Sequence, residues 1–164
     1  MFGSQGSWYY EHVAGIRLPR DGSGRGWRRI LLDPSVLRPR STTSSPSPLP
    51  VCALRNDSPF KLTAARAKSA TPLGPAAIAW SCNGLGNGLS VNVTVPVGAT
   101  AQLYLPIAFG SRVAESGHVM FDANWKLKPT IAGVVSGTKA LDEEAYVFEL
   151  LSGSYLFTVA HEFY

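Results

Sequence analysis

Between Leu89 and Val95 the chain alternates without a break: Leu89, Val91, Val93 and Val95 are apolar, and Ser90, Asn92 and Thr94 between them are polar. Successive side chains of a β-strand point to opposite faces, so this period of two describes a strand with one face in a core and the other outward. Pro96-Val97-Gly98 is a turn signal, and Thr100 to Leu105 is expected to return as the partner strand. The same alternation comes back at the end of the chain, with Tyr146, Phe148 and Leu150 on one segment and Tyr155, Phe157 and Val159 on the next. Ser152-Gly153-Ser154 lies between them, which predicts a β-hairpin closing the chain on a well-formed strand.

Further strands are expected over Trp27 to Asp33, with Ile30 and Leu32 on one face and Leu31 on the other, and over Leu62 to Lys68 and Ala76 to Trp80 about the turn at Ala70 to Gly74. Shorter ones are expected around Arg112 to Glu115, His118 to Phe121 and Gly133 to Val135. Charged residues make up only 16% of the chain, while it holds 16 glycines and 12 prolines, the mix of many short strands joined by turns. The fold class is therefore mainly β, an antiparallel, jelly-roll-like β-sandwich.

The first residues depart from this pattern. Phe2, Tyr9, Val13 and Ile16 recur at helical spacing, with Trp8 and His12 beside the stripe and small residues at Gly3, Ser4, Gly6 and Ser7. An apolar helix with no capping residue or polar leader ahead of it reads as the start of a C-terminal piece of something larger, its neighbour lying elsewhere. Residues 1–20 are accordingly assigned to this helix and 21–40 to a loop and a strand. Residues 41–60, rich in serine and proline, are read as a disordered insertion, and 61–164 as the sandwich domain.

The formal charge of +4 comes mainly from Arg17, Arg20, Arg25, Arg28, Arg29, Arg38 and Arg40, with no basic run longer than two, so scattered solvated arginines explain it better than nucleic-acid binding. No stretch has the ~18 apolar residues of a membrane span, and the start lacks a signal-peptide layout, so no compartment is indicated. Cys52 and Cys82 have no metal-ligand spacing and fit either a disulfide or two buried thiols. Asn56 and Asn92 fall in glycosylation sequons, and Asn92 would have to face solvent to be used.

Chemistry-bearing patterns are missing. Glu11, Asp21, Asp33, Glu143, Glu144 and Glu149 read as turn or solvated residues, and His12, His118 and His161 lack ligand spacing, so neither a metal nor a cofactor is implied. No G-x-S-x-G nucleophile elbow occurs, and the Gly-x-Gly at Gly22 to Gly24 precedes a strand where a phosphate loop would open a helix. Catalytic residues are therefore expected to be none.

Taken together, the motifs resemble those of bacterial-type α-L-rhamnosidases. Phe2 to Ile16, followed by Gly26-Trp27-Arg28-Arg29-Ile30, is similar to that family's final catalytic-domain helix and domain-crossing strand. Ile78-Ala79-Trp80, Val91 to Ala101, Tyr104-Leu105-Pro106, Val113 to Gly117 and Phe148 to Val159 stand in the order of its C-terminal β-sandwich. The resemblance implies one helix left over from an (α/α)6 barrel, a catalytic barrel as partner, and a parent enzyme that removes terminal α-L-rhamnosyl groups from glycosides by inversion. In that route one carboxylic acid protonates the leaving oxygen and a carboxylate about 6.5 to 9.5 Å away activates water. Both carboxylates, and the family's substrate-contacting histidine, would lie upstream of Met1, and His12 is not that histidine. The isolated chain is then expected to be inactive, without membrane or nucleic-acid partners. The alternative is a free-standing carbohydrate-binding module, for which Trp125, Trp80 and Tyr104 are the candidate sugar contacts, although Trp80 and Tyr104 read more simply as core or edge residues.

Overall fold

The computed structural model describes residues 3–34, 62–82, 88–106, 111–121, 127–128, 131–140 and 145–161. The chain enters through helix α1 (Gly3–Trp8), which passes directly into a π-helical turn over Tyr9–Ala14. The helix expected over residues 2–16 is thus shorter, and Ile16 already stands on a strand. Gly15 ends it: with φ at +87° its N–H returns to the Tyr10 carbonyl at 3.0 Å. Only a residue without a Cβ fits there, because that atom would sit 2.3 Å from the backbone nitrogen of Pro34.

Eleven strands follow among the described residues: β1 (Ile16–Arg17), β2 (Arg29–Leu32), β3 (Ala64–Thr71), β4 (Gly74–Cys82), β5 (Gly88–Val95), β6 (Thr100–Pro106), β7 (Ser111–Glu115), β8 (His118–Val119), β9 (Val134–Ala140), β10 (Ala145–Leu150) and β11 (Gly153–His161). They form a five-stranded sheet ordered β1-β2-β6-β10-β9 and a six-stranded sheet ordered β3-β4-β5-β11-β7-β8. Every pairing is antiparallel except that of β2 with β6. The β-sandwich expected from the alternating segments is present. The strand read as domain-crossing, β2, lies inside the five-stranded sheet beside β6.

Two expected pairings are replaced. β6 does not return along β5: the turn at Pro96 to Gly98 carries the chain to the opposite sheet, where the Thr100 N–H donates to the Arg28 carbonyl at 2.8 Å. Likewise β10 and β11 do not form a hairpin, since β10 lies between β6 and β9 while β11 lies between β5 and β7. Alternation fixes which face of a strand is apolar and says nothing about which strand lies beside it. Here the two apolar faces meet across the sandwich, with the rings of Phe148 and Phe157 at 5.4 Å. A short connection then serves as a corner between sheets. Tyr155 ties that corner, its hydroxyl proton shared between the Leu151 carbonyl at 2.9 Å and the Gly133 carbonyl at 3.2 Å.

The core runs between the sheets. Leu89, Val91, Val93 and Val95 of β5 are all buried, as are Ile30 and Leu32 of β2, with Leu103, Leu105, Phe148, Leu150 and Phe157 completing the centre. Phe121, Tyr146 and Phe148 pack together, Phe121 tilted against Tyr146 with ring centroids at 4.8 Å and Tyr146 stacked on Phe148. Burial raises the pKa of Tyr146 and of Tyr155, and the Glu115 carboxylate adds to the rise at Tyr155. Cys82, at the end of β4, is disulfide-bonded, which decides between the two states open to it in sequence; the chain's other cysteine, Cys52, lies outside the described residues.

Candidate functional site

Where the π turn meets the sandwich, the contacts change character. Trp80, on β4, is 2% exposed and its indole N–H donates to the Val13 carbonyl at 2.9 Å, so one side chain fills the core and holds the end of the helix. Val13 and Ala14 are buried against it, while the next strand is bound back through the Asp33 N–H to the Gly15 carbonyl at 2.6 Å. Asp33, 2% exposed, receives the Arg17 guanidinium at 2.5 Å. The Asp33 carboxylate is buried while the Arg17 side chain is 25% exposed, so the cation keeps part of its hydration and offsets the desolvation of the anion. Tyr10 reaches across to the Lys68 carbonyl at 3.4 Å.

Beyond these contacts the helix is uncovered. Trp8, Tyr9 and Tyr10 are 52%, 60% and 45% exposed, a run of three large open aromatic rings, whereas the other described aromatics are buried or half-buried. Among the described residues, Trp8 packs against Tyr9 edge-on at 5.4 Å and beside the His12 ring at 5.8 Å.

Beside this face lies a cleft of about 500 Å³ between the π turn, β1 and the loop before β2, with Tyr10, Glu11, Arg17, Arg20, Trp27 and Ser69 on its walls. Trp27 closes a 3-10 turn (Arg25–Trp27) in which both Gly26 and Trp27 have positive φ, +66° and +62°. Left-handed geometry in a bulky residue costs on the order of 1–3 kcal/mol, so the surrounding contacts must hold it there. The Trp27 N–H donates to the Gly24 carbonyl at 3.0 Å, and its ring is partly buried against the core. The Arg17 Nε–H is buried and has no hydrogen-bond partner among the described residues.

The described carboxylates are all engaged locally. Glu11 accepts from the Ser7 hydroxyl at 2.9 Å, and Asp33 is held by Arg17. Glu115 accepts from Ser116 at 2.7 Å, and Glu149 stands 3.7 Å from Arg29. Asp21 accepts from the Ser23 hydroxyl at 2.6 Å and from its N–H, and these bonds lower its pKa. Among the described residues no group of three or more His, Cys, Asp or Glu side chains could hold a metal ion, and no helix is long and apolar enough to cross a membrane.

Of the candidate sugar contacts, Trp80 is enclosed in the core and offers no ring face to a ligand, and Tyr104 is half-buried on β6. Trp125 and Asn56 lie outside the described residues, and Asn92 is exposed on β5. The structure brings together Trp80 and Val13, and separately Tyr10, Arg17 and Trp27, none of which the spacing of residues joins. The Gly22 to Gly26 loop was the available signal, since it allows the positive φ that turns Trp27 into the cleft wall.

Two sheets packed as a β-sandwich, entered through a short helix and a π turn, define the class of domain. The match to the bacterial α-L-rhamnosidase C-terminal domain over residues 15–120 is more specific, and the chain belongs to that family. It is similar in structure to an α-L-rhamnosidase from Dictyoglumus thermophilum, at 22% identity and a TM-score of 0.64. That similarity covers 97% of this chain and 14% of the other. It is similar also to a Streptomyces avermitilis α-L-rhamnosidase solved in complex with L-rhamnose, at 25% identity and a TM-score of 0.60, covering 96% of this chain and 11% of that one. The chain thus spans a small part of the proteins it resembles. No curated protein matches its sequence significantly.

Proposed function

We propose that this domain works as the C-terminal portion of an α-L-rhamnosidase whose catalytic barrel packs against α1 and the π turn, and that the whole enzyme removes terminal α-L-rhamnosyl groups from glycosides. The observation that carries the reading is the family match, together with the small share of each related rhamnosidase that the chain covers. The open run Trp8-Tyr9-Tyr10 supports it from the physical side, since three exposed rings on a short helix are stabilised by burial against a neighbour. The inverting acid and base belong, on this reading, to the barrel, consistent with the local engagement of every described carboxylate in the sandwich.

The domain's own task is mechanical: the π turn, pinned by Trp80 and by the Arg17–Asp33 pair, fixes the angle at which a barrel meets the sandwich. Sequencing the transcript ahead of the Met1 codon tests the proposal. An in-frame extension encoding paired helices with two candidate carboxylates is expected, and an in-frame stop codon immediately upstream would overturn it.

A further inference from the structure

We propose that Asn92 carries an N-linked oligosaccharide on the outer face of the six-stranded sheet. The sequon Asn92-Val93-Thr94 lies wholly within β5. Residues two apart on a strand share a face, so Asn92 and Thr94 point away from the core into which Val91 and Val93, both 0% exposed, are packed. Asn92 is exposed, and its side chain has no hydrogen bond or ion pair among the described residues. Its neighbours leave room for a bulky group. Asn92 stands opposite Ala79 on β4 and Leu156 on β11, and Thr94 stands opposite Ala77 and Ser154. All are small except Leu156, which is 42% exposed and offers apolar surface for the first sugar to cover.

A sequon alone is a weak signal, because the pattern recurs by chance. An independent observation joins it here. Cys82 is disulfide-bonded, and disulfides persist in oxidising compartments and are rare in cytosolic proteins. The lumen in which secreted chains form such bonds also holds the glycosyl donor, a polyprenyl-diphosphate-linked oligosaccharide with an N-acetylhexosamine at its reducing end. In the transfer, the Asn92 amide nitrogen attacks C1 of that sugar. The N–C1 bond forms as the C1–O bond breaks, the polyprenyl diphosphate leaves with the electron pair, and the amide gives one proton to solvent. The modified face is turned away from the helix: Trp80, next to Ala79 on β4, points the opposite way and holds the Val13 carbonyl of the π turn. A hydrated glycan at Asn92 thus leaves the helix side open to a neighbour and keeps the outer sheet face clear of protein contacts. The proposal does not depend on the activity of the parent enzyme.

The test is peptide mapping by mass spectrometry of the protein isolated from its own cells, reduced and digested with trypsin, before and after peptide-N-glycosidase. The peptide from Ser69 to Arg112 contains this sequon and no other. Most copies are expected to carry a glycan built on N-acetylhexosamine, and the glycosidase should convert position 92 to aspartate in those copies alone. Thr94→Ala, which keeps the asparagine, should abolish the glycan, and Thr94→Ser should retain it. A Ser69 to Arg112 peptide without glycan, a glycan confined to Asn56, or a glycan retained in Thr94→Ala would each overturn the assignment.

Discussion

The centre of the sandwich and the junction at the helix are held by different forces. Between the sheets, Phe148, Phe157, Leu103, Leu105 and the valines of β5 are sealed from water with no polar atom to satisfy, so their stability follows from area and close packing. At the junction, one indole N–H, one part-buried ion pair and one glycine crossing fix the orientation of a short helix whose outer rings stay exposed. The first region tolerates change in proportion to volume. The second depends on individual contacts.

Trp80 belongs to both regions, so Trp80→Ala should show the largest effect. Removing a fully buried Trp costs about 3 to 5 kcal/mol, and the Val13 carbonyl loses its donor as well. Chemical denaturation should show this loss, and Trp80→Phe should recover the packing part alone. Arg17→Ala comes next, at about 2 kcal/mol, because it removes a charge-assisted hydrogen bond from the buried Asp33 carboxylate. The measurement that separates junction from core is Arg17→Ala with Asp33→Ala: the double variant should be less damaged than the sum of the singles, and additive losses would deny the pairing.

The tyrosines give a smaller, pH-dependent effect. Burial raises the folded-state pKa of Tyr146 and Tyr155 above 10.0, so the folded state keeps its phenolic protons while the unfolded chain gives them up. Their contribution is fully present below pH 10.0 and is lost as the pH rises through the folded values. Thermal melts should therefore fall off above that point, and Tyr155→Phe should flatten the decline while losing the hydroxyl that ties the Leu151 corner. At the lower limit, Val97→Asp, at a position 82% exposed in the turn between sheets, should change stability by no more than about 0.5 kcal/mol. A larger change would place a hidden contact there.

How much of this was readable in advance follows from what a linear pattern encodes. The period of two at Leu89 to Val95 and at Tyr146 to Val159 marks each buried face correctly, because alternation and burial are the same physical fact. The partners of β6, β10 and β11 were not readable, because corner and hairpin share the same turn residues and differ only in which sheet offers a free edge. The helix was legible as an apolar stripe, but its shift to a π turn and its end at Gly15 depend on the backbone of Pro34, which approaches from a later part of the chain. The same holds for the cleft. Tyr10, Arg17 and Trp27 come from three consecutive elements, and only the fold of the Gly22 to Gly26 loop brings them onto one wall. The family resemblance supplied what the residues alone did not, a place for this domain within a larger rhamnosidase chain.

Hydrogen exchange on the isolated chain tests most directly whether the junction is an interface waiting for a neighbour beside a self-sufficient sandwich. Amides of β5, β10 and β11 should exchange only through global unfolding, while those of α1 and the π turn, held by few contacts and flanked by exposed rings, should exchange orders of magnitude faster. Equal protection of the helix and the central strands would contradict the account, since the helix would then need no partner to be ordered.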